Sequence, residues 1–170
     1  NNETESGYAK EMSEEYKNTN VACLCNEHFS SKKTEDGIKL MINHPEFKGK
    51  VGLIKFYAPW CGHCTNMVPT LIGLSNEMKE NVIYGSVDCT DEDKDNHTLA
   101  TNIGIEGFPT IYTIHPSGSL ELYEEGRDKK SIEAYMEKQL EKLETRNEKK
   151  RLLGGKHKKN LKLKTNKKTK

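Results

Sequence analysis

Two thiols three residues apart, Cys61-Gly62-His63-Cys64, carry the most specific chemistry in the 170-residue chain. At the start of a helix this spacing forms a redox device. Free backbone N–H groups and the helix dipole favour a thiolate at the first position. The second thiol lies one turn on, within reach of a mixed disulfide formed by the first. His63 is placed to stabilise the Cys61 thiolate, which favours the reduced pair and makes the Cys61–Cys64 disulfide oxidising. Two other readings compete: a plain structural disulfide, and a zinc half-site completed by Cys23 and Cys25. Zinc half-sites sit on loops or knuckles, whereas Cys61 is led in by an apolar run and by Ala58-Pro59-Trp60. The redox reading is therefore preferred, and no metal or organic cofactor is implied.

The elements that must position this pair are legible around it. Val51–Tyr57 is rich in strand formers and reads as a central buried strand. A helix is expected from Gly62 to about Met78, with Met67, Val68, Leu71, Ile72, Leu74 and Met78 at helical spacing and Pro69 kinking it. Val21–Cys25 and Val82–Val87 read as further strands. Residues 35–44 and Asp91–Asn102 read as helices. Thr110–Ile114 and Ser119–Tyr123 form a hairpin through His115-Pro116-Ser117-Gly118. Ile132, Tyr135, Met136, Leu140 and Leu143 mark a last amphipathic helix. Strand–helix alternation followed by a hairpin predicts a three-layer α/β/α domain with a central mixed sheet over residues 21–145. A polar N-terminal arm (1–20) and a Lys-rich, disordered tail (146–170) flank it.

Phe56-Tyr57-Ala58-Pro59-Trp60-Cys61-Gly62-His63-Cys64 resembles the active-site segment of protein disulfide isomerase catalytic domains, within the thioredoxin fold. The resemblance extends through Val21, Leu24 and Phe29, through Pro69, and through Val87-Asp88-Cys89-Thr90. It continues in Ile103–Thr110, which carries Pro109, and in Gly126-Arg127. It implies a thiol–disulfide oxidoreductase that forms and rearranges disulfides in protein substrates. Cys61 would be the nucleophile and Cys64 the resolving thiol of a redox-active disulfide. Pro109 would be cis, facing the pair and leaving the backbone of Phe108 to bind an extended substrate strand. Trp60 would offer an apolar platform to unfolded chains. Arg127 would swing toward Cys64 during reoxidation. The Gly-His insert belongs nearer the disulfide isomerase potential of about −180 mV than the thioredoxin value of about −270 mV.

One position departs from the family. An acid usually lies six residues before the first cysteine, beneath the second; here it is Lys55. Strand alternation puts Lys55 on one face with Leu53 and Tyr57. Buried and neutral, it could act as a base; charged, it would favour thiolates; snorkelling to solvent, it would leave the relay absent. Slower proton-coupled turnover is expected than with the acid. Thr65, where the family often has Lys, is a smaller departure. Cys23 and Cys25 read as free buried thiols on one strand face, with an auxiliary redox pair as the alternative. Cys89 reads as a small buried residue.

The formal net charge of +1 hides two opposed parts. From Arg146 on there are 12 basic residues and one acid, while the preceding 145 residues carry 25 acids and 15 basic residues. No stacking aromatic is interleaved in the tail, which argues against a folded nucleic-acid module and leaves polyanion attraction as its physics. The longest apolar run, Val51–Trp60, is interrupted by Lys55 and far short of the roughly 20 residues of a membrane span. Protein or peptide substrates bearing thiols or disulfides are the expected partners, served by an unidentified redox partner. The resemblance implies an oxidising secretory lumen. A virus particle or other assembly is the alternative setting. The rival functions are a thioredoxin-like disulfide reductase and a non-catalytic thioredoxin-fold scaffold with a polyanion-binding tail.

Overall fold

A computed structural model of the chain describes residues 16–77 and 79–168, with backbone alone from 155 onward. Seven strands follow one another as β1 (Ala22–Leu24), β2 (Phe29–Thr34), β3 (Gly37–Ile42), β4 (Val51–Tyr57), β5 (Val82–Asp88), β6 (Thr110–Ile114) and β7 (Leu120–Leu122). Helix α1 (Gly62–Asn76) follows β4, α2 (Asn96–Ile103) follows β5, and α3 (Lys129–Lys168) closes the chain. The main sheet runs β1-β5-β4-β6-β7. β1, β5 and β4 are parallel, and β6 and β7 add antiparallel strands.

β4 lies at the centre and every one of its residues is buried. Its pleat divides the core. Val51, Leu53 and Tyr57 face Met67, Leu71 and Leu74 of α1 and Ile132, Met136 and Leu140 of α3. Ile54 and Phe56 face the other way, onto Leu24, Ile42, Phe47 and Leu99. The period of two expected of a strand thus supplies both faces of a three-layer fold. Gly52 is required by close packing: a Cβ there would collide with the backbone oxygen of Ile83 on β5.

Several local expectations are corrected. Residues 35–44 are not a helix. Asp36-Gly37, with Gly37 at φ 121°, turns the chain so that β3 pairs antiparallel with β2 from Phe29↔Ile42 to Thr34↔Gly37. Ile38, Leu40 and Ile42 recur with period two, and a pairing partner decided between the two periodicities. The helix expected from Asp91 begins at Asn96. The Asp88 and Asp91 carboxylates accept from the backbone N–H groups of Thr90 and Lys94, holding that stretch in turns. Cys25 lies past the end of β1 and Cys23 is exposed, so the two are not buried thiols on one strand face. Tyr16, inside the stretch read as an arm with little to bury, is 1% exposed. At the other end α3 runs without a break through Gly154-Gly155 to Lys168, where a disordered tail was expected. The remainder of the arm, and Met78, lie outside the described residues.

Candidate active site

The C-terminal end of β4 delivers the chain through Ala58-Pro59-Trp60 into the first turn of α1. Cys61 is the N-cap of α1, and its sulfur accepts from the Cys64 N–H at 3.3 Å. An N–H donor at a helix N-terminus is thus aimed at the sulfur, where negative charge would develop. Across the gap, the Cys61 thiol donates to the Phe108 carbonyl at 3.4 Å. The Phe108–Pro109 peptide is cis. Trp60 is 64% exposed and meets the Phe108 ring edge-to-face, with centroids 6.0 Å apart. The sequence-predicted residues Trp60, Cys61, Cys64, Phe108 and Pro109 therefore converge, with both thiols unpaired in this state.

The two thiols differ in environment. Cys61 is 9% exposed, and Cys64 beneath it is 1% exposed. Burial, reinforced by the hydrogen bond with Cys61, pushes the Cys64 thiol up to about 12, and Lys55 opposes that rise. Cys64 is thus held protonated at neutral pH. Cys89, buried on the far side of Tyr57, is likewise pushed up to about 12, chiefly by burial.

Lys55 does not snorkel. It is 1% exposed. Its ammonium donates to the backbone oxygen of Cys64 at 2.6 Å and to the Tyr16 hydroxyl at 2.6 Å. It lies 5.1 Å from the centre of the Tyr16 ring and 5.0 Å from that of Tyr57. These two rings meet edge-to-face at 5.5 Å. A cation in apolar surroundings is tolerable only with such acceptors and ring faces around it. Lys55 therefore occupies the expected place beneath the second cysteine.

Tyr16 is the residue that sequence reasoning missed. It sits among acidic and polar residues, and no periodicity marks it. Its 39-residue separation from Lys55 gives no local signal.

The other two expected residues are less engaged. His63 is exposed on the first turn of α1. Arg127 is exposed and lines a shallow 130 Å³ cavity with Pro109, Thr110 and Tyr123. Among the described residues it has no hydrogen bond to either cysteine.

Three comparisons bear on this arrangement. A family model described as Thioredoxin matches residues 31–138. A protein disulfide-isomerase of Medicago sativa is 38% identical over 96 residues, which cover 55% of this chain and 18% of the relative. Protein disulfide-isomerase 1 of Dictyostelium discoideum is 36% identical over 95 residues, covering 54% and 26% respectively. The matched segment thus spans about a fifth to a quarter of these curated relatives. Among solved structures, full-length ERdj5 aligns at 22% identity over 72% of this chain and 15% of its own, with a TM-score of 0.51, a likeness of fold.

Proposed function

The chain belongs to the thioredoxin family, and from that premise we propose that it is a thiol–disulfide oxidoreductase that oxidises and isomerises protein substrates through Cys61 and Cys64. The observation that carries this reading is the Cys61 sulfur held between the Cys64 N–H and the Phe108 carbonyl at the mouth of α1. The identity shared with disulfide isomerases supports the substrate class.

In oxidation, a substrate thiolate attacks Cys61 of the Cys61–Cys64 disulfide. The mixed disulfide forms and Cys64 leaves as a thiolate, which takes up a proton. A second substrate thiolate attacks the substrate sulfur of that mixed disulfide, and Cys61 leaves. Two electrons have passed from the substrate dithiol to the cysteine pair. In isomerisation, reduced Cys61 attacks a wrong disulfide, and a substrate thiol later displaces it. Cys64 provides the escape route: once deprotonated it attacks the Cys61 sulfur and frees the reduced substrate. Exposed Trp60 and the Phe108 ring give the substrate an apolar surface beside the reacting sulfur. Lys55 sits where it stabilises the Cys64 thiolate.

Refolding of a scrambled-disulfide protein, with the Cys61–Cys64 potential measured alongside, tests the proposal. Recovery of native activity and a potential nearer about −180 mV than about −270 mV are expected. A value near the lower figure would assign the chain as a disulfide reductase. A cellular role retained by Cys61→Ala would assign it as a scaffold.

A further inference from the structure

A second group of ligand-bearing side chains lies apart from Cys61 and Cys64, over the other half of the core. Between β1 and β2 a single 3-10 turn, Asn26–His28, is capped by Cys25. The Cys25 sulfur accepts from the His28 backbone N–H, and Nδ1 of His28 accepts from the Cys25 N–H at 3.1 Å. This reciprocal arrangement brings the Cys25 Sγ and the His28 Nδ1 to 3.6 Å. The Glu27 carboxylate lies 3.7 Å from Nε2 of the same imidazole. One sulfur, one nitrogen and one carboxylate oxygen therefore fall within 4.8 Å of one another.

The spacing has a direct chemical reading. A tetrahedral zinc ion with Zn–S of about 2.3 Å and Zn–N of about 2.05 Å separates those two ligands by about 3.6 Å. The turn is also anchored. Buried Asn96, the first residue of α2, accepts from the Asn26 N–H at 2.9 Å and donates to the Asp88 carbonyl at 2.9 Å. The His28 ring is held edge-on by His44 at 4.8 Å, and His44 in turn packs on buried Phe47 at 5.4 Å. Thiolate, imidazole and carboxylate together suit a borderline divalent cation rather than calcium or magnesium.

We propose that Cys25, Glu27 and His28 form a three-ligand site for a zinc-type divalent cation, with the fourth position open to water. On binding, the Cys25 thiol gives its proton to solvent, the sulfur–metal bond forms, and water leaves the hydration shell of the ion; no electron is transferred. The Nδ1 lone pair now held by the Cys25 N–H turns to the metal. This site does not depend on the redox reading of Cys61 and Cys64.

The test is a Co²⁺ titration of the full 170-residue chain carrying Cys61→Ser and Cys64→Ser, which removes the other thiol pair that could ligate. A saturable thiolate-to-cobalt charge-transfer band, one ion per chain and displaced by Zn²⁺, is expected. Cys25→Ser should abolish it, His28→Ala and Glu27→Gln should each weaken affinity about tenfold or more, and Cys23→Ser should leave it in place. Circular dichroism establishes that each variant is folded. If Cys25→Ser does not fold, the His28→Ala and Glu27→Gln affinities decide. Absence of a saturable band, a band that survives Cys25→Ser in a folded chain, or affinities unchanged in the other two variants would overturn the site and leave Cys25 and His28 as mutual caps of a turn.

Discussion

Replacing Lys55 by Met probes the proton step most directly. The Cys64 thiol is pushed up to about 12, so at pH 7 only about one molecule in 10⁵ carries the resolving thiolate. The Ala58 backbone hydrogen bond and, after it, the Lys55 charge oppose this rise, and the Lys55 ammonium lies against the Cys64 backbone. An opposite charge at about 4–6 Å lowers an acid's pKa by about 1–3 units. Losing it cuts the thiolate population by about tenfold per unit, but the more basic thiolate that remains is a better nucleophile. With a Brønsted coefficient of about 0.4–0.5 the net loss is about threefold to fourfold per unit. Lys55→Met should thus slow the attack of Cys64 on a Cys61 mixed disulfide by about tenfold, near the centre of a range from about threefold to sixtyfold. The single tryptophan, Trp60, beside the reacting sulfur, reports this step in stopped-flow fluorescence. The first attack by Cys61 should change far less, because Lys55 bonds the Cys64 side of the pair. Met matches the aliphatic volume of Lys, so the packing around the site is kept while its hydrogen bonds to Tyr16 and Cys64 are lost. Lys55→Glu replaces the charge by a proton acceptor, a different route to the thiolate, and should add a carboxyl inflection to the pH profile of the resolution rate. Resolution rates in Lys55→Met within about a factor of two of the parent from pH 6 to 9 would refute the assignment of Lys55 to this step.

Four further outcomes follow from the same geometry. Tyr16→Phe removes the hydroxyl that accepts from Lys55 but keeps the ring; losing that one hydrogen bond from a charged group should cost about 1.5–3 kcal/mol in denaturant unfolding, with slower resolution in the direction of Lys55→Met. Gly52→Ala should abolish soluble folding, because the new methyl meets the backbone of β5 rather than a side chain that can move. Stability should fall in alkali: Cys64 and Cys89 ionise near 9.0 when unfolded but near about 12 when folded, so the unfolded state releases protons first and pH-dependent unfolding should show stability declining from about pH 9 toward 12. Removing residues 152–170 should leave turnover unchanged and shift the melting temperature little, since among the residues whose burial is described the last buried one of α3 is Leu143, whereas retention on an anionic resin at moderate salt should be lost.

The site was legible in the sequence where chemistry is local and hidden where it depends on chain return. Cys61, Cys64 and Trp60 are neighbours on one strand-to-helix junction, and alternation along Val51–Tyr57 placed Lys55 on the Leu53 and Tyr57 face. The resemblance placed Phe108 and Pro109 opposite the pair, some 47 residues from Cys61. No comparable signal existed for Tyr16, and the Asp36-Gly37 turn signal between β2 and β3 was outweighed by the helical reading of residues 35–44. In both cases the deciding contact is made by a segment whose own composition is polar. For Phe29–Thr34, five of six residues are exposed, so hydropathy could not separate a hairpin from a loop, and the helix assigned to residues 35–44 went unopposed.

Lys55 shows why this matters for mechanism. Taken alone, a lysine beneath a buried thiol invites the conclusion that it must turn to solvent, because an isolated buried ammonium is costly. Two tyrosine rings, a phenol and a backbone carbonyl change that balance. One of the rings comes from a stretch read from the sequence as a polar arm. In the proposed reaction Lys55 stands where the family usually has an acid, and its positive charge would favour the Cys64 thiolate. A chain built this way should resolve mixed disulfides with a rate that keeps rising with pH through the neutral range. A domain with the acid would level off near the pKa of its carboxyl group.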